Sequence, residues 1–151
     1  MSRILILYCF LILGVYAEDS SEYTMYRQLA IDIHEKDMDK SLYYIDKAID
    51  ATPSYVEIYA IRGTIYSYWG KKLSNKDFSA QAWSDYTYFI DSVSGTKDQE
   101  VKETLSSVYI LRGILSIDGE LIEQGLSDIK MACNLNQSKC ELFEKFQRFL
   151  K

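Results

Sequence analysis

The side chains that most often perform catalysis or bind metals are sparse in this chain of 151 residues, which has one histidine, His34, and three cysteines, Cys9, Cys133 and Cys140. A cysteine or serine nucleophile needs a positioned base, and His34 is far along the chain from Cys133 and Cys140. A structural zinc needs four ligands, which this inventory does not assemble. Asp37 with Asp39 and Glu120 with Glu123 are paired carboxylates, but they read as solvated helix ends. No Gly-x-Ser-x-Gly elbow, His-Glu-x-x-His pair, phosphate loop or dinucleotide fingerprint occurs. The expectation is a protein that is not an enzyme and needs neither cofactor nor metal.

The N-terminus bears on the cysteines. "MSRILILYCFLILGVYA" carries one basic residue, Arg3, then an apolar run from Ile4 to Val15, and ends in Val15-Tyr16-Ala17 before the polar "EDSSE". This pattern reads as a secretory signal over residues 1–17, too short and too abruptly ended for a stable membrane span. The expected mature domain is 18–151, exported to a periplasm or to the medium. Its net charge would be −6, since the whole chain carries −5 and Arg3 leaves without an acid. An acidic domain without a basic cluster lacks the footprint of a nucleic-acid binder. Cys9 would leave with the signal, and two thiols in an exported chain point to one disulfide, Cys133 to Cys140.

The elements that position these residues read as helices. Apolar residues recur every three or four positions, as in Val101, Leu105, Val108, Leu111 and Leu115. The only proline is Pro53. Three helix starts carry capping-box spacing: Ser54 with Glu57, Thr96 with Gln99, and Ser138 with Glu141. About seven helices are expected.

One pattern returns. "YAIRG" at Tyr59 to Gly63 recurs as "YILRG" at Tyr109 to Gly113. Glycine inside a helix costs roughly 1 kcal/mol relative to alanine, so a second helix must approach Gly63 and Gly113 closely. The sequence supplies one each time: Ala82 followed by Ser84-Asp85-Tyr86, and Gly125 followed by Ser127-Asp128-Ile129. A fainter copy precedes both, with Tyr26, Leu29 and Ala30, then Ser41, Ile45 and Ala48, closed by Pro53. Arg62 and Arg112 belong near repeat junctions, where Asp46, Asp50 or Asp85 would pair with them. Asn136-Gln137-Ser138 has the form of a glycosylation sequon, and His34 falls where the first helix pair turns, as a solvated loop residue.

The paired-helix pattern resembles the tetratricopeptide repeat. That resemblance implies an all-α solenoid of antiparallel helix pairs, about three of them (22–53, 54–95 and 106–139), closed by a C-terminal capping helix at 139–151. The second copy carries seven extra residues around "KKLSNKDFS". The family implies a protein-interaction scaffold that binds a protein or peptide on the concave side of the first helices. Mapped onto this chain, the groove would comprise Arg27 and Ile31 in the first copy, Ala60, Thr64 and Ser67 in the second, and Ile110, Ile114 and Ile117 in the third, with Glu57 and Tyr68 as a polar rim. An aliphatic groove suits the apolar face of a partner helix or a homodimer; the alternative is that "KKLSNKDFSAQAW" or the N-terminal helix folds over these isoleucines. A weaker resemblance joins Ala132-Cys133 and Cys140 to the cysteine-containing Sel1-like repeats, which implies β-lactam binding or hydrolysis; nitrocefin turnover would separate that reading from the scaffold.

Overall fold

A computed structural model describes residues 21–150, so the expected signal segment 1–17 lies outside the described residues. Those residues form seven α-helices, one short 3-10 turn and no strand: α1 (Ser21–Ile33), α2 (Met38–Ala51), α3 (Glu57–Leu73), α4 (Lys76–Val93), α5 (Gln99–Asp118), α6 (Ile122–Leu135), the 3-10 turn (Gln137–Lys139) and α7 (Cys140–Phe149). The all-α expectation is met. No described helix is long and apolar enough to cross a membrane.

The described residues divide into two compact units, one ending at Asp85 and the other beginning at Tyr86, with the boundary inside α4. In the first, α1 packs on α2 and α2 on α3. Ile58, Ile61 and Ile65 recur at helical spacing and are buried to within 1 % of full burial, which gives α3 its core stripe. In the second unit, α5 packs on α6 and α6 on α7, around Val108, Ile129 and Ala132, all fully buried.

The helices start close to the expected places, but through other caps. At α5 the cap is Asp98, whose carboxylate accepts from the backbone N–H of Glu100 at 2.9 Å and of Val101 at 3.3 Å. Thr96 stands two residues too early and accepts instead from the Asp98 N–H. Asp98 immediately precedes the first helical residue, and its charge makes it the stronger acceptor there. The residue before α3 is Val56, with no side-chain cap bond, so Ser54 does not cap it. Asn136, not Ser138, caps the 3-10 turn, its side-chain oxygen accepting from Ser138 N at 3.0 Å and Ser138 Oγ at 2.8 Å.

The extra residues of the second copy fall at the junction of α3 and α4. They lengthen two helices, α3 to 17 residues and α4 to 18, which join through Ser74 in the left-handed region (φ 52°) and Asn75, whose side chain accepts from Asp77 N at 2.9 Å. Pro53 follows the α2 C-cap Thr52, where a residue without an N–H cannot prolong the helix.

Candidate partner-binding face

The recurring Arg-Gly sits at the contact of a first helix with its second. In the first unit Arg62 on α3 forks onto Asp85 on α4, Nε to Oδ2 at 2.9 Å and an Nη to Oδ1 at 2.8 Å. In the second unit Arg112 on α5 makes the same fork onto Asp128 on α6, at 2.8 and 2.9 Å. Each guanidinium also lies over the tyrosine three residues before it, 4.9 Å from the Tyr59 ring centre and 5.6 Å from that of Tyr109. Asp85 and Asp128 hold equivalent places, three residues after Ala82 and Gly125. Asp85 was among the partners expected from sequence; for Arg112 the pairing with Asp46, Asp50 or Asp85 is replaced by Asp128. The parallel between Ser84-Asp85 and Ser127-Asp128 was the signal for it.

Each arginine also senses the second helix before its own pair. Arg112 donates a third bond to Thr87 Oγ1 on α4 at 3.0 Å. Arg62 is raised in pKa first by its bond to Asp85, against the cost of burial, and also by the charge of Asp46 on α2. Asp46 and Thr87 stand at one register, five residues after Ser41 and Ala82 respectively.

The glycines explain the close approach. A Cβ placed on Gly113 would lie 2.8 Å from the Gly125 carbonyl oxygen, and one on Gly125 would lie 2.5 Å from the Gly113 oxygen and from Ile117 Cγ1. Two backbones meet here with no room for a methyl group. In the first pair the positions are Ala30 and Ser41, both fully buried, and Ser41 Oγ donates to the Ala30 carbonyl at 2.9 Å. Leu29 and Tyr44 take the places of arginine and aspartate there, and Tyr44 stacks on Tyr26 with ring centres 6.3 Å apart.

The residues expected to line a groove separate into two groups. Ala60, Thr64 and Ile110 are buried, exposed by 0, 2 and 6 %, and Thr64 Oγ1 donates to the Ala60 carbonyl at 2.9 Å. Ile117, half-buried, packs on Gly125 of its own second helix. Ala60 and Ile110 lie three residues before the mid-helix glycines, and Ser67 and Ile117 four after, which on a helix is the glycine's own face. Arg27, Ile31, Glu57, Ser67, Tyr68 and Ile114 remain half-buried. Burial raises the Glu57 carboxyl above its ordinary pKa, while its own backbone N–H and the Arg27 charge pull the other way. The neighbouring Tyr23 is raised further, by burial first and the Glu57 charge second, and meets the Tyr55 ring edge-on at 4.8 Å.

Tyr68 is engaged inside its own unit, edge-on to His34 at 5.7 Å with the Lys72 ammonium 5.3 Å away. Trp69 Nε1 donates to the His34 carbonyl at 2.7 Å. His34 is therefore no solvated loop residue: its side chain is 12 % exposed and Nδ1 bonds to the Ile31 carbonyl oxygen. This cluster pins the α1–α2 turn to α3.

Cys133, in the last turn of α6, and Cys140, the first residue of α7, form a disulfide with Cα atoms 4.5 Å apart, as the two thiols suggested. Among the described residues no three His, Cys, Asp or Glu side chains gather so as to hold a metal ion. Comparison with protein families, with curated proteins and with solved structures returns no match.

Proposed function

We propose that the chain is an exported, non-catalytic scaffold built from helix-pair repeats of the tetratricopeptide type, binding the apolar face of a partner helix or a second copy of itself along its first helices. One observation carries this reading: the arginine of each complete copy contacts the third residue after the small residue of its own second helix, and feels the fifth residue after the small residue of the preceding one. The same Arg–Asp register recurring in each unit is what helix-pair repeats would give, and such repeats present first-helix side chains for binding. The half-buried candidates for this role are Arg27, Ile31 and Glu57 in the first unit and, separately, Ile114 in the second.

The test is Ile114→Asp, which places a charge at one of these candidate positions. Affinity capture with the intact protein and with the variant, alongside light scattering for a dimer, reads the result. Loss of partner or dimer at an unchanged Tm supports the reading. A collapse of Tm would assign Ile114 to the core, and unchanged association would place binding elsewhere.

A further inference from the structure

We propose that the Cys133–Cys140 disulfide is a redox latch on α7, so that reduction releases this helix while the α5–α6 pair stays folded. The inference rests on how differently the two contacts of α6 are made. Against α5, α6 is locked by glycine backbones with no room for a Cβ and by the Arg112–Asp128 fork. Against α7 it has neither. No residue of α7 is fully buried; Leu142, Phe143 and Phe146 are half-buried and Phe149 is 87 % exposed. The ion pair of Lys145 with Glu141 is within the helix and open to water at both ends, where such pairs contribute little. A helix of ten residues is below the length at which an isolated helix holds in water. Beyond the packing of those half-buried side chains, the covalent bond at its first residue is what fixes α7 to α6.

Both cysteines are half-buried, within reach of a dithiol reductant. A thiolate of that reductant attacks one sulfur and breaks the Cys133–Cys140 bond, forming a mixed disulfide. The reductant's second thiolate then displaces the bound cysteine. Two electrons and two protons end on Cys133 and Cys140 as thiols, and the reductant leaves as its own disulfide. The released α7 exposes Leu142, Phe143 and Phe146 together with the side of α6 they covered. An apolar surface at this end of the chain is thereby placed under redox control, independently of where a partner binds on the first helices.

Hydrogen exchange read by mass spectrometry on the full chain, oxidised and after treatment with a phosphine reductant, tests the latch. The expected result is a loss of amide protection of about tenfold or more across residues 141–149, with residues 103–132 unchanged. The double variant Cys133→Ser/Cys140→Ser, kept in air, should reproduce the reduced pattern. Undiminished protection of α7 after reduction would overturn the proposal, since packing alone would then hold the helix. Loss of protection in α5 and α6 together with α7 would overturn it equally, because the bond would then be a staple for the whole unit.

Discussion

The Arg62–Asp85 and Arg112–Asp128 forks use the same atoms at nearly the same distances, yet they sit in different surroundings. The Arg62 side chain is 25 % exposed and that of Arg112 13 %. For Arg62 the bond to Asp85 is the strongest influence on its pKa; for Arg112 burial is the strongest, and only the partners reverse it into a net rise. Beside them, the unit 1 second helix brings alanine to the contact and the unit 2 second helix brings glycine. A single design thus spans two settings. In unit 2, where a methyl group does not fit between Gly113 and Gly125, the arginine is more deeply desolvated and more dependent on its partner.

The largest effect should come from the contact itself. Gly125→Leu and Gly113→Leu should each cost on the order of 3 kcal/mol or more, read as a shift of the urea midpoint. Alanine should also destabilise at 113 and 125, because the added carbon meets a backbone oxygen at 2.8 and 2.5 Å. Alanine is the native residue at position 82, fully buried. The same side chain is therefore accommodated in one unit and excluded from the other; a harmless Gly125→Ala would end the comparison.

Next come the forks. Asp128→Ala leaves Arg112 buried without its counter-charge and should cost about 3 kcal/mol. Asp85→Ala should cost less, about 1 kcal/mol, because the more exposed Arg62 regains water. Equal losses in thermal or denaturant unfolding would show that exposure does not separate the two.

The first helix pair allows the rule to be sharpened by addition. Leu29 and Tyr44 occupy the arginine and aspartate positions, so Leu29→Arg with Tyr44→Asp should install a third fork. The double variant should be more stable than the sum of its single changes predicts, by about 1 kcal/mol; strict additivity would mean that the first pair does not share the geometry.

The smallest effect is a pH dependence at Glu57. Its pKa is raised in the folded state by burial, so the folded protein holds this proton more tightly than the unfolded chain does. Stability from this group is present below the ordinary carboxylate pKa and is lost as pH rises through the raised one. Glu57→Gln should flatten that stretch of the stability profile and raise Tm slightly at pH 7 relative to pH 4. A variant profile parallel to that of the native protein would contradict the assignment.

Much of this arrangement could be read in the sequence. Two mid-helix glycines behind arginines, each followed by a small residue and Ser-Asp, forecast the helix pairs, and two cysteines forecast their bond. The caps were less legible because hydroxyl and acid spacings recur by chance: Thr96 and Asp98 both precede α5, and only their placement relative to Gln99 decides between them. The groove was least legible. Choosing the face opposite Gly63 and Gly113 required counting helical positions from those glycines, and Ala60, Ile110 and Ile117 fall on the glycine side. His34 was hidden for another reason, since its burial depends on Tyr68 and Trp69, more than thirty residues downstream.

The most direct test of the shared design is a pair of double-mutant cycles, Arg62→Met with Asp85→Asn and Arg112→Met with Asp128→Asn, measured by denaturant unfolding. Favourable coupling in both, about 1 kcal/mol or more and greater at Arg112–Asp128, is the predicted result. Coupling near zero in either cycle would contradict the claim that one Arg–Asp clamp, used twice, holds each second helix to its first.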